Sequence, residues 1–274
     1  MSHGLLKGKK GIIFGALNDM SIAWKTAEIA HQEGAEFVLT NAPIAMRMGE
    51  INKLAEQCGN APVIAADATN SEDLEALIQQ TMDHFGGKID FILHSIGMSP
   101  NVRKKKHYTD LKYEWYHQTL DVSAMSLHRT LSAAMKLDAL NEWGSVVALT
   151  YIAAQRIFPD YNDMADAKSL LESITRSFGY HYGERRKVRV NTISQSPTVT
   201  TAGSGVKGFD EFISFSESMS PLGNADAVAC AKYCAMMFSD FTKYVTMQNL
   251  FHDGGFSNTG VTQQVIEKFG SSEE

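Results

Sequence analysis

The chain has 274 residues, with 31 acidic against 25 basic side chains, a formal net charge of −6 and 44% hydrophobic residues. That balance argues against nucleic acid as the main partner, and no apolar run is long enough to span a bilayer. The three cysteines form no C-x-x-C pair, and the start of the sequence has no apolar signal segment, so the expected home is the cytoplasm.

Apolar, strand-like segments recur at residues 11–14, 36–40, 62–66, 89–94, 145–150, 188–193 and 244–250, with helix-length segments mostly between them. The alternation predicts one α/β domain over 1–274, doubly wound (Rossmann-type), with a seven-stranded parallel sheet flanked by helices. The first strand, Lys10–Phe14, runs into Gly15, and a helix opens at Ser21 and Ile22 and closes at Gly34. Strand, glycine turn and helix begin a dinucleotide-binding unit, in which pyrophosphate rests on helix N-terminal amides. Only the first glycine of G-x-G-x-x-G is present, with Ser21 and Ala23 where small residues are needed.

The second strand, Glu36–Thr40, ends at Asn41, Ala42 and Pro43, with no acid for a ribose 2′-hydroxyl and no arginine until Arg47. A 2′-phosphate left without partners is costly, whereas a hydroxyl can be solvated, so NADH is expected over NADPH. Asp67 and Ala68 follow the 62–66 segment. Asp67 reads either as a turn residue or as an acceptor for the adenine amino group. His94, Ser95, Ile96 and Gly97 end the next strand, where the backbone can pass close to a ribose. His94 is expected to pack beneath the cofactor rather than act as a base. Ser99, just beyond, is expected at the substrate. Arg103-Lys104-Lys105-Lys106 is either a solvated loop or a landing patch for an acidic carrier protein or coenzyme A phosphates.

Tyr161 and Lys168 are seven residues apart. In a helix begun near Pro159 that spacing turns about 700°, so both share one face. A phenol can donate to a developing oxyanion while an ammonium holds cofactor hydroxyls. Tyr151, just past the apolar run 145–149, can reach the same site from a strand end. Cys230 and Cys234, at i and i+4, read as core thiols, and the nine histidines show no ligand spacing, so no metal is expected. The glycine- and hydroxyl-rich stretch after the sixth strand passes into the apolar Phe209–Phe215, which suits either a surface loop or a mobile lid over about 196–216.

Gly15-x5-Ser21-x-Ala23, His94-Ser-Ile-Gly97, Tyr151-x9-Tyr161-x6-Lys168, Val188-Arg-Val-Asn191 and Asp253-Gly-Gly-Phe256 together resemble the bacterial enoyl-acyl-carrier-protein reductases. These form a divergent branch of the short-chain dehydrogenase/reductases, and the likeness runs from about Leu5 to Thr262. The superfamily majority places lysine four residues after tyrosine, where this chain has Ala165. The resemblance implies hydride transfer from NADH to an enoyl thioester on acyl carrier protein, in fatty acid biosynthesis. It puts Thr198, Val199, Thr200, Thr201 and Ala202 beside the nicotinamide and pyrophosphate, and it implies a homotetramer, with Val245 to Phe256 as a contact surface. Two readings compete: a ketone or alcohol oxidoreductase, whose carbonyl-steadying serine would fall at Ala148, and a dinucleotide-binding regulator without catalysis.

Overall fold

Successive side chains of a strand face opposite ways, yet Ile12, Ile13 and Phe14 are all buried in β1 (Lys10–Phe14). Both faces of the strand are therefore covered, as happens in parallel sheets whose crossovers are helices. The computed structural model describes residues 2–47, 50–199 and 209–270. After β1, α1 (Ile22–Gln32) leads to β2 (Glu36–Thr40), and α2 (Pro43–Met46), α3 (Glu50–Gln57) and α4 (Ser71–Phe85) lead to β3 (Ile89–His94). Next come α5 (Pro100–Arg103), α6 (Tyr113–Leu120), a π-turn (Asp121–Met125) and α7 (Ser126–Lys136), then β4 (Leu140–Thr150). The chain continues through α8 (Asn162–Arg186), β5 (Arg189–Gln195), α9 (Phe209–Met219), α10 (Ala227–Phe238), β6 (Asn249–His252) and α11 (Gln263–Gly270).

The strands pair in the order β2-β1-β3-β4-β5-β6, every neighbour parallel. One face of the sheet packs Ile12, Val38, Ile92 and Val146 against Leu74 and Leu77 of α4, Leu127 and Leu131 of α7, and Leu171 of α8. The other packs Ile13, Leu39 and Leu93 against Trp24 of α1, Leu54 of α3 and Cys234 of α10. Each such buried aliphatic side chain contributes about 1.5–3 kcal/mol. The cysteines are thus core residues. Among the described residues no helix is long and apolar enough to cross a membrane.

The sheet has six strands among the described residues, not the expected seven. The 62–66 segment does lie beside β2, but it forms only one isolated bridge, Val63 to Leu39. Pro62 limits the pairing on its own side of that bridge. Its carbonyl accepts from Leu39 N at 2.9 Å, but it has no N–H with which to complete the preceding bridge. The last strand is also later and shorter than the 244–250 run predicts, because Tyr244 and Met247 have φ of 71° and 62°, which breaks extended backbone there.

From β1 the chain moves to β2 on one side, and β3 then returns to the other, so a crevice opens past the carboxyl ends of β1 and β3. Gly15 sits at its floor with φ +92°, and a Cβ built there would lie 2.0 Å from the Ser95 carbonyl oxygen. No side chain fits without parting the two strand ends. Gly15→Ala is therefore expected to lower Tm and abolish dinucleotide binding together, which thermal melts and a fluorescence titration would measure. The stability loss should exceed about 1 kcal/mol.

Candidate active site

Tyr161 stands one residue ahead of α8, which begins at Asn162 rather than near Pro159. Its backbone is helical (φ −82°, ψ −16°), but its neighbours Asp160 and Asn162 have φ of 65° and 46°. Left-handed conformations cost about 1–2 kcal/mol for most residues and least for Asn and Asp, the types found here. Asn162 is held in that conformation by donating from Nδ2 to the Lys106 carbonyl at 2.6 Å. Strain on both sides of one aromatic residue fixes where its ring points. That ring packs on Val102, Met164 and Ala167 and lies 5.2 Å from the ring of Tyr151.

Lys168, two turns into α8, is buried, and its Nζ donates to the Leu149 carbonyl at the end of β4 at 2.8 Å. An ammonium has three hydrogens, so two remain for other acceptors. Burial pulls its pKa down to about 8, and the carboxylate of Glu172, one turn on, works against that fall. Glu172 is itself buried and accepts from Thr150 (3.0 Å), Gln155 (3.0 Å) and Asn249 (3.1 Å). One carboxylate thus joins β4, the loop after Tyr151, and β6. His94 is fully buried below, its Nε2 2.8 Å from Ser126 Oγ, which donates onward to the Val122 carbonyl. Burial, then the charge of Lys168, holds His94 down at about 3, so it stays a neutral imidazole donating from Nε2.

The Tyr151 hydroxyl is buried and has no hydrogen-bond partner among the described residues. An unmatched buried hydroxyl costs about 1–3 kcal/mol, and such groups cluster where a ligand supplies the partner. Around it stand Phe158 (rings 5.3 Å apart) and Phe212 of α9 (6.3 Å), with Phe256 6.0 Å from Phe158. Desolvation raises the pKa of both phenols far above neutrality, with Tyr161 and Asp253 adding to the effect on Tyr151. Both are therefore hydrogen-bond donors at physiological pH.

Asp163, fully buried in the first turn of α8, is a residue the sequence reading missed. It accepts from Ser99 Oγ at 2.6 Å and Asn101 Nδ2 at 2.8 Å, with Thr119 Oγ1 at 2.9 Å. An acid at a helix start ordinarily reads as a partner of the helix dipole, and nothing local distinguishes this one. Ser99, expected at the substrate, has its hydroxyl bonded to Asp163 and to Val102 N (3.0 Å), so it ties α5 to α8. The π-turn adds a parallel tie: Ser123 Oγ accepts from Met98 N at 2.9 Å.

Of the residues expected around a dinucleotide, Gly15, Ser95 and Gly97 lie at the adjoining ends of β1 and β3. Gly15 meets Ser95, and a Cβ on Gly97 would lie 3.7 Å from Lys168 Nζ. Ile96 packs against the core on the α4 side. Ser21 caps α1, accepting from Trp24 N, and Ile22 opens the helix. Asn41 Nδ2 bonds the Ala16 carbonyl (3.2 Å) and Asn41 Oδ1 accepts from Ala42 N, pinning the end of β2 to the glycine turn. Asp67 serves as a turn residue, its Oδ1 accepting from Thr69 N and Oγ1, beside half-exposed and buried neighbours that include Ala68. Thr198 and Val199 line a cleft of about 380 Å³ with Asp19, Met20 and Asp226. Thr200, Thr201 and Ala202, and with them the middle of the expected lid, lie outside the described residues. A glycine floor, a helix N-terminus beside it, a buried ammonium with donors to spare and an unmatched phenol fit a dinucleotide with a carbonyl-bearing substrate beside it.

The family model described as enoyl-(acyl carrier protein) reductase matches residues 15–257. The NADH-dependent enoyl-[acyl-carrier-protein] reductase FabI of Rickettsia bellii is 33% identical over 264 residues, covering 95% of this chain and 98% of its own. The crystal structure of a FabI–NADH complex from Alistipes finegoldii superposes with a TM-score of 0.94 at 62% identity, covering 96% of this chain and 93% of its own. The Aquifex aeolicus enzyme gives 0.86 at 28% identity, covering 94% of this chain and 100% of its own.

Two outcomes follow from the buried charges. Asp163→Ala leaves the donors of Ser99 and Asn101 unmatched, and calorimetry should show a loss of about 3 kcal/mol, or roughly 6–12 °C in Tm. Lys168 carries its charge below its pKa of about 8 and loses it above. Dinucleotide affinity, followed by fluorescence between pH 6.5 and 9.5, should therefore weaken as pH rises through that value. Glu172→Gln removes the charge that props the pKa up, so the midpoint should move to lower pH; an unmoved midpoint would show that the titrating group is not Lys168.

Proposed function

The chain belongs to the enoyl-(acyl carrier protein) reductase family, and from that premise we infer how Tyr161, Tyr151 and Lys168 divide its reaction. The enzyme reduces trans-2-enoyl thioesters to saturated acyl thioesters with NADH, in type II fatty acid biosynthesis. NADH, when bound, supplies the hydride for the β-carbon of the thioester. Negative charge then gathers on the thioester oxygen as an enolate, and Tyr161 donates a hydrogen bond to it. Such a donor contributes about 2.7–4 kcal/mol where measured. Tyr151 orients the thioester carbonyl with its unmatched hydroxyl or assists the protonation at the α-carbon that turns the enolate into the saturated thioester. Lys168 holds the nicotinamide ribose and keeps the local potential positive. Phe158, Phe212 and Phe256 exclude water, which strengthens each of these interactions. The observation that carries this assignment is a buried phenol without a partner, 5.2 Å ring to ring from a second phenol on strained backbone.

Gly15, Ser21 and Ile22 take the pyrophosphate at the start of α1, Ser95, Ile96 and Gly97 pass the ribose, and Asp67 and Ala68 meet the adenine. Ala42 follows β2 and no basic side chain stands there, which suits a plain 2′-hydroxyl. Within the proposed cover of about 196–216, α9 brings Phe212 against Tyr151. In favour of a homotetramer, Phe241 and Tyr244 are 83% and 85% exposed beside the 245–256 segment. Three unpaired cysteines agree with a cytoplasmic home. A carbonyl-reducing role is opposed by Ala148, which is fully buried and offers no hydroxyl.

Tyr161→Phe keeps the ring but deletes the donor, so kcat on crotonyl-coenzyme A should fall about 10²-fold with NADH affinity unchanged. Tyr151→Phe should give a milder loss. The reverse order would exchange the two roles, and wild-type rates in both single mutants and the double mutant would remove both phenols from catalysis.

A further inference from the structure

Arg103, Lys104, Lys105 and Lys106 are consecutive cations in a chain of net charge −6, and the first three are exposed. None of the four forms an ion pair among the described residues. A solvated loop would leave such side chains on mobile backbone. Here every amide of the run is hydrogen-bonded: Arg103 N to Ser99 O, Lys104 N to Pro100 O, Lys105 N to Val102 O, and Lys106 N to Asn101 O, all at 2.9–3.2 Å. Lys105 is held at φ 52° within this turn. Asn101 also clasps Lys112 from both ends of its amide, accepting from Lys112 N at 3.1 Å and donating to Lys112 O at 3.2 Å. A fifth, exposed cation is thereby added to the rim, opposed nearby along the chain only by exposed Asp110 and Glu114.

The same turn is fastened to the tyrosine. Its carbonyl at Lys106 accepts from Asn162, the residue after Tyr161, and its first turn is bonded through Ser99 and Asn101 to Asp163. The backbone that carries the cations is thus tied to the segment that carries Tyr161. A cluster of cations without acidic partners on such a fixed turn suits the steering and docking of a partner of opposite sign.

We propose that the Arg103–Lys106 turn with Lys112 is the surface on which an acidic carrier protein docks while its thioester reaches Tyr161. The proposal rests on the enoyl reductase reading and names the face of the molecule that recognises the carrier.

The test uses the triple charge reversal Arg103→Glu/Lys104→Glu/Lys105→Glu, which touches no residue placed in the catalytic or cofactor machinery. Crotonyl thioesters of acyl carrier protein, coenzyme A and N-acetylcysteamine are compared on both proteins, at low and at high salt. The expected result is at least a tenfold loss in kcat/KM for the carrier substrate at low salt, carried by KM, and shrinking as salt rises. The N-acetylcysteamine and coenzyme A substrates should keep wild-type constants. Equal losses for carrier and coenzyme A would show that the cations read a phosphate rather than a protein surface. An unchanged carrier KM, or a loss on all three substrates, would also overturn the proposal. If the wild-type protein reduces none of the three, the enoyl reductase reading fails, and the docking surface with it.

Discussion

Burying one ammonium group at the carboxyl end of a parallel sheet is the constraint around which the rest of this site is arranged. A lone charge there would be prohibitively desolvated. Lys168 survives because the Leu149 carbonyl takes one of its hydrogens and Glu172 lies one turn away on the same helix. Glu172 is in turn satisfied by donors from three separate parts of the chain. The two side chains therefore fasten α8 to the sheet at the point where a dinucleotide must be gripped. The pKa of about 8 is the residue of this compromise: low enough to register the burial, high enough to keep the charge at neutral pH.

A second buried carboxylate, Asp163, does for the substrate side what Glu172 does for the cofactor side. Its donors come from α5 and α6, so the first turn of α8 is tied to a wall of the pocket as well as to the sheet. Lys168 lies between the two carboxylates and Tyr161 stands two residues ahead of the first, so both are on a stretch tied down at Asp163 and at Glu172. The tyrosine is held by strained backbone and the lysine by hydrogen bonds. The electrostatics agree with this division, since phenols stripped of water remain protonated donors while the ammonium alone carries charge.

The fold class was legible in the sequence from apolar runs between helical stretches, and so was the placing of Lys168 on the helix that follows Tyr161, from their seven-residue spacing. Gly15 was legible as well, although only the coordinates give the reason, a carbonyl where its side chain would be. The strand count failed at 62–66, where an apolar run qualifies as a strand by composition but forms a single bridge to β2, with Pro62 lacking a donor on one side of it. The helix start failed by three residues, because left-handed Asp160 and Asn162 delay it. Asp163, Glu172 and Asn101 were invisible for a different reason: their partners lie 11 to 77 residues away along the chain, and nothing in the local pattern reports them.

The π-turn between α6 and α7 holds one residue more than an α-helix would place in that turn. It frees Ser123 to face the backbone of Met98 while Leu127 and Leu131, farther along, still point into the core. The bulge absorbs an extra residue within one continuous helix. Excising that residue would restore a regular spiral and keep the leucines on the sheet, but it would withdraw Ser123 from Met98. So long as the bulge is kept, substitutions around the catalytic pocket and in the interlayer packing can accumulate separately. The insertion thus decouples two parts of a helix that would otherwise have to evolve in step.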